Sequence, residues 1–295
     1  IVFGDWSSDV CSSDLDPSNG DVLIAQINNG QIGRLIYSAT ASGAPLPPTL
    51  TDTGAFSDLV SLTPNPGIVP YDLNVPFWSD NAIKSRWFSV PNTDLAITFN
   101  PTANWSFPTG TVWVKHFELE LTNGVATSRQ RLETRLLVRN PTGVYGMTYR
   151  WDAADNATLV PEAGLDEAFT INDGGTLRTQ VWHYPSRSEC LACHTPQGGF
   201  ALGFNTAQLN RDFDYHGTIT NQIEAFRLAG YFSNEVTNRH LLPALAPAAR
   251  EDVSLEFRAR SYLAANCVSC HQPGGLVSSR WDARLSTPGP QAGII

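Results

Sequence analysis

Cys190-Leu-Ala-Cys193-His194 and Cys267-Val-Ser-Cys270-His271 decide how this chain is read. Cys-x-x-Cys-His is the attachment pentapeptide of c-type haem. Its two thiols add to the two vinyl groups of one porphyrin, and the adjacent imidazole becomes the proximal iron ligand. Four of the five cysteines fall into these pairs, and each pair is followed by a histidine. Two covalently bound haems are therefore expected. Cys190, Cys193 and His194 would hold one; Cys267, Cys270 and His271 would hold the other, with His194 and His271 on iron. Two competing readings use the same residues. A four-cysteine zinc site would leave both histidines without a role, and the two pairs lie far apart for one zinc module. A thioredoxin-like dithiol needs a βαβ setting, which neither pair has.

Working outward, the fifth cysteine, Cys11, lies in Asp5-Trp-Ser-Ser-Asp-Val-Cys-Ser-Ser-Asp-Leu15. That string reads as a translated sequencing-library adaptor joined to a gene fragment, so residues 1–15 are set aside as an artefact. On this reading the chain is a fragment without its natural N-terminus, and a missing signal peptide carries no information about export.

The chain of 295 residues is long enough for two domains. Its formal charge is −9, from 28 acidic and 19 basic residues. Setting aside Asp5, Asp9 and Asp14 leaves 25 against 19, or −6. Haem propionates would add to that acidity. Such a balance argues against nucleic acid or an anionic membrane as partner. No run of 18 apolar residues marks a transmembrane segment. Covalent haem attachment takes place outside the cytoplasm, so a periplasmic location is expected.

Three zones follow the suspect start. In residues 16–66, two β-rich runs flank Asn28-Asn29-Gly30, a hairpin signal, and Pro-rich stretches at 44–48 and 63–67 mark a linker. Residues 67–183 are β-rich. The stretch 111–121 alternates, with Trp113, Phe117, Leu119 and Leu121 inward and Glu118 and Glu120 outward. The stretch 131–139 does the same, with Leu132, Leu136 and Val138 inward. Short strands broken by Gly, Asn and Pro suggest an antiparallel sandwich, with Trp78, Trp87, Trp105 and Trp113 in its core. Residues 184–295 read as helical. A helix is expected over 220–229, with Gly230 closing it. Another is expected over 254–266, with Leu255, Ala259, Tyr262 and Leu263 as its apolar stripe, delivering Cys267. The expected fold class is thus α+β: a sandwich-like β domain, then a helical c-type cytochrome domain with two haem sites.

Several longer motifs point the same way: Tyr71-Asp-Leu-Asn-Val-Pro-Phe-Trp-Ser-Asp80, Phe107-Pro-Thr-Gly-Thr-Val112, Arg131-Leu-Glu-Thr-Arg-Leu136, Tyr184-Pro-Ser-Arg-Ser-Glu-Cys-Leu-Ala-Cys-His194, Leu202-Gly-Phe-Asn-Thr-Ala-Gln-Leu-Asn210 and Ser261-Tyr-Leu-Ala-Ala-Asn-Cys-Val-Ser-Cys-His271. Together they resemble a family of bacterial diheme c-type cytochromes, some fused behind a sugar-dehydrogenase propeller. The stretch 21–37 resembles the last blade of such a propeller. The resemblance implies an upstream domain using pyrroloquinoline quinone, outside this chain, and a fused dehydrogenase or separate redox protein as partner.

An electron-transfer haem needs a sixth ligand, Met or His. The candidates are His216, then His183 and His240, with the single methionine, Met147. Each has a bland alternative as a surface or core residue; His116 is a further histidine of the β-rich zone. No Met or His follows His271, so the second haem's distal ligand is expected downstream of this fragment. Arg187 is a candidate partner for a haem propionate. Three functions fit: a periplasmic relay carrying electrons from a quinone-dependent sugar or alcohol dehydrogenase to a respiratory acceptor, a diheme peroxidase-like enzyme with one open iron, or a carbohydrate-binding β-module with an attached cytochrome.

Overall fold

The computed structural model describes residues 13–15, 22–26, 31–35, 45–277 and 281–294. The chain divides into two units, Ile1–Leu46 and Pro47–Ile295.

The first unit holds a three-stranded antiparallel sheet of β1 (Ser13–Leu15), β2 (Val22–Gln26) and β3 (Gln31–Leu35). β2 and β3 pair from Val22↔Leu35 to Gln26↔Gln31, as the hairpin reading requires. Their turn, Asn28-Asn29-Gly30, lies outside the described residues. So does most of the adaptor-like stretch, although its last three residues form β1 against β2.

The second unit begins with the short strands β4 (Phe56–Asp58) and β5 (Thr63–Pro64), which pair together. Its centre is a six-stranded antiparallel sheet built from β6 (Val69–Pro70), β7 (Ile83–Ser89), β8 (Val112–Glu120), β9 (Arg129–Arg139), β10 (Val144–Trp151) and β11 (Ala157–Leu159). Spatial order follows chain order, so every strand pairs with its neighbours in sequence and no connection crosses another. Between β9 and β10 the Asn140 side chain accepts the amides of Thr142 and Gly143, which holds the turn. A separate hairpin follows, β12 (Leu165–Asp173) and β13 (Thr176–Tyr184). Its turn is Gly174-Gly175, with φ of 60° and 94°. Two consecutive left-handed residues make the tight return that matches strand twist, and glycine adopts them without strain.

Both faces of the six-stranded sheet are covered. Phe88, Trp113 and Leu137 are cross-strand neighbours on one face, which we call the near face. There they join Phe204, Phe226 and Trp105 in an aromatic core. Farther along the same face, Phe117, Leu119 and Leu132 pack with Phe169, Ile171 and Trp182 of the β12–β13 hairpin. On the far face Trp87, Val114, Leu136 and Met147 align, and Phe56 meets Trp87 edge-on at 5.1 Å. Leu132, Glu133, Thr134, Leu136 and Leu137 are accordingly all buried. That corrects the sequence reading of β8 and β9 as strands with one solvated face.

The expected fold class is also corrected. The protein is mostly β, with 31% strand and 17% helix, and among the described residues of 184–295 no helical c-type cytochrome domain is seen. That stretch contains α1 (Arg187–Cys193), α2 (Thr206–Leu209), α3 (Gln222–Leu228) and α4 (Leu255–Asn266). A hairpin, β14 (Asp212–Tyr215) and β15 (Thr218–Asn221), interrupts them. The causes are local. Thr218-Ile-Thr favours strand, so the helix expected from residue 220 starts only at Gln222, where Asn221 caps two amides. Prolines 243 and 247 and the Gly198-Gly199 pair break the other connections. The β zone is not a two-sheet sandwich either: among the described residues the six strands face only two-stranded hairpins, β12–β13 on one face and β4–β5 on the other. Among the described residues no helix is long and apolar enough to cross a membrane.

Candidate functional site

α1 carries the first motif. Its start is fixed by a capping box: Ser186 Oγ accepts the Glu189 amide, while the Glu189 carboxylate accepts the Ser186 amide. Glu189 also reaches His183 on β13, whose other ring nitrogen lies 2.6 Å from Asp166 on β12. This chain of contacts ties the helix to the hairpin. The opposite side of α1 lies on the near face, because a Cβ at Gly146 would stand 2.5 Å from Cys190 Sγ. Cys190 is thus seated directly on β10.

His194 closes α1, with its Nδ1 donating to the carbonyl of Phe200. Burial pushes its pKa down to about 4, with Lys115 and Arg135 adding to the effect. The ring is therefore neutral at physiological pH, with Nδ1 protonated by its hydrogen bond and the Nε2 lone pair available.

α4 carries the second motif at its C-terminal end. Ser254 caps it through the Phe257 amide, and the helical turn continues through Cys270 and His271 onto the Cys267 carbonyl. Its expected apolar stripe is not its buried face: Leu255 and Tyr262 are exposed and Ser261 is buried. The His271 ring lies 4.1 Å from that of Trp281.

The fold brings the two motifs together. Burial raises the Cys193 thiol pKa, and the charge of nearby Cys270 raises it further. Gln272 Nε2 donates to the Gln197 carbonyl at 2.8 Å, joining the segments that follow each motif. Trp78 donates its amide to Asn266, the residue before Cys267, and is exposed rather than core. All four thiols are free, and Cys190, Cys193 and Cys267 are each pushed up by burial. Redox-active and nucleophilic cysteines show the opposite shift. Among the described residues no three His, Cys, Asp or Glu gather as metal ligands. A zinc site needs three or four such donors. A c-type haem needs one imidazole and two thiols, because the porphyrin supplies the other four nitrogens.

The residues present fit such a group. A metal-binding histidine normally donates its second nitrogen to a carbonyl or carboxylate, which fixes tautomer and ring orientation; His194 does so toward Phe200. Large apolar side chains are exposed around both motifs: Leu191 within the first, Tyr262 before the second, Leu276 and Val277 after it. Leu191 is 50% exposed and Trp78 53%, surface that an apolar macrocycle would cover.

The distal candidates lie elsewhere. Met147 is on the far face, with its sulfur accepting from Tyr149. His216 sits at the exposed tip of the β14–β15 turn with φ 55°. His183 has both nitrogens engaged by carboxylates, and His240 is exposed in a short 3-10 turn. Arg187 pairs with Glu162 at 2.8 Å. His116 is a core residue, its Nδ1 2.8 Å from Thr134. A cavity of about 720 Å³ lies beside the second motif, with Val268, Ser269 and Gln272 on its wall, but neither motif's thiols nor its histidine line it.

The sequence reading missed the near face itself. Arg86, Lys115 and Arg135 are cross-strand partners on β7, β8 and β9. They share that face with Gly146 and hence with Cys190. The available signal was register: Arg135 is two residues from Leu137, on the same side of β9.

No protein-family model matches this chain, and neither the curated proteins nor the solved structures contain a match to it.

Proposed function

We propose that this protein is a diheme c-type electron relay. The single observation behind the reading is His194, a neutral imidazole oriented by the Phe200 carbonyl and flanked by two free thiols. Cys190, Cys193 and His194 hold one haem, and Cys267, Cys270 and His271 the other. Each haem, when bound, supplies a one-electron iron couple. The chain sets the spacing of the two sites. The Gln197–Gln272 contact joins the segments beside them, and Cys270 lies near enough to Cys193 to raise its thiol pKa. Short separation is what transfer between two centres requires. α1 is held rigid by its capping box and by the seat on Gly146, so the first centre keeps a fixed environment. Attachment to these motifs implies export, and the periplasm is the compartment proposed. A quinone-dependent dehydrogenase is the proposed donor.

The test uses protein matured with cytochrome c assembly machinery. Two covalent haems that are reduced and reoxidised by one-electron partners, without peroxide turnover, are the expected result. Steady peroxide consumption would replace the relay with a peroxidase. Protein that leaves maturation without covalent haem would refute both.

A further inference from the structure

The near face under α1 holds more positive charge than its surroundings balance. Arg86, Lys115 and Arg135 stand side by side across three adjacent strands, where like charges directly opposite one another are destabilising. Lys84 lies two residues from Arg86 on the same face. Arg86 is 5% exposed. Its Nη1 reaches Asp72 at 3.4 Å, but its Nη2 is buried with no hydrogen-bond partner. Arg135 binds Glu133, and its Nε is likewise buried and unpartnered. Lys115 makes no hydrogen bond or ion pair. Its ammonium lies 4.8 Å from the Phe117 ring centre, and burial holds its pKa well below the ordinary lysine value. Four basic side chains therefore face three carboxylates, Asp72, Asp80 and Glu133, and Asp72 is shared with Arg211 at 2.8 Å. The basic groups outnumber the carboxylates, and Arg86 Nη2 and Arg135 Nε stay buried and unused. Buried donors left this way are costly unless a ligand takes them.

We infer that the Arg86–Lys115–Arg135 row binds the two propionate carboxylates of the haem carried by Cys190 and Cys193. The inference rests on the diheme reading. The chemistry matches: carboxylates would take the unpartnered guanidinium nitrogens of Arg86 and Arg135. The place matches as well, because Gly146 and Cys190 touch on the same face and the row lies on the strands beside them. The β sheet then serves as one wall of a haem site instead of a separate module.

The test compares Lys115→Met and Arg135→Gln with the wild type in the haem-loaded full chain. Covalent haem is counted first, and a count below two overturns the diheme reading and this inference together. With two haems retained, each variant is expected to lower the reduction potential of one haem and leave the other unchanged. A tenfold change in that equilibrium corresponds to about 59 mV. Two haems with unmoved potentials in both variants would overturn the inference alone. A second measurement uses the chain carrying Cys190→Ala and Cys193→Ala. Without the first haem, Lys115→Met should raise the melting temperature by relieving repulsion, whereas in the loaded protein it should lower it. Added succinate should raise the melting temperature of the Cys-substituted chain and leave the loaded protein unaffected. If succinate stabilises both equally, the row takes a free dicarboxylate and the propionate assignment is wrong.

Discussion

Gly146→Ala should destabilise the protein, against the usual trend for glycine in a strand. Gly146 is not in the left-handed region, so alanine meets no backbone strain there. Replacing a strand glycine with alanine ordinarily gains about 0.5–1 kcal/mol. Here the new Cβ would stand 2.5 Å from Cys190 Sγ and 3.1 Å from Cys190 Cβ. The clash is with the root of a side chain on a capped helix, so α1 or β10 must shift. Overpacking of this kind costs about 1–3 kcal/mol. The steric cost wins, leaving a net loss of about 1–2 kcal/mol, or about 2–8 °C in Tm for a domain of this size. Gly143→Ala is the control, since its nearest neighbour would be Phe200 at 3.9 Å, an ordinary contact. That variant should match the wild type or gain up to about 1 kcal/mol. Urea unfolding with unchanged slope reads both. If Gly146→Ala unfolds at or above the wild-type midpoint, Cys190 is not seated on β10 and the placement of α1 is wrong.

Three further outcomes follow from named contacts. Asp166 first, and then Glu189, raise the His183 pKa above its ordinary 6.5, so its tie between the hairpin and α1 is complete below pH 6.5 and lost as pH rises through the elevated value. His183→Gln should flatten stability over that alkaline limb, and an unchanged pH profile would contradict the tie. Burial holds His116 down at about 3, so stability should fall as pH drops below 6.5 toward 3, where the unfolded state takes up a proton that the folded state refuses. His116→Leu should remove that acid limb, at a cost of about 1 kcal/mol at neutral pH for the lost Thr134 bond; an acid limb that persists would point to carboxylates instead. Tyr184, fully buried, donates to the Glu167 carboxylate at 2.8 Å, so Tyr184→Phe should cost about 1.5–3 kcal/mol by urea titration; Arg150 also donates to Glu167, at 2.7 and 2.8 Å, and a neutral result would mean Arg150 alone holds Glu167.

What the sequence revealed and concealed follows from the range of each signal. The hairpin strands at β2 and β3, the long strands at β8 and β9, and the helix before Cys267 were legible because alternation, turn residues and caps act locally. The two Cys-x-x-Cys-His motifs were visible because they are patterns of adjacent residues. Hidden from view was what lay across each strand. Arg135 looked solvent-facing when β9 was taken to have one wet side. Burial of both faces of β9 depends on residues 50–60 and 165–184 folding back over it, which no local pattern encodes. The helical expectation for 184–295 failed for a related reason. α1, α2 and α3 have only four to seven residues, too short to stand without the sheet beneath them. The stripe assigned to α4 chose Leu255 and Tyr262 by periodicity, while its buried position is Ser261, whose hydroxyl accepts the Ala246 amide.

The central claim is that two haems are bonded to this chain through its two motifs. Intact-protein mass spectrometry after expression with cytochrome maturation machinery measures this directly, alongside acid-acetone extraction. We expect a mass increase of two haems that survives extraction, falling to one haem in the Cys190→Ala/Cys193→Ala chain and in the Cys267→Ala/Cys270→Ala chain. A mass equal to the bare polypeptide, or haem that washes out in acid acetone, would contradict the account.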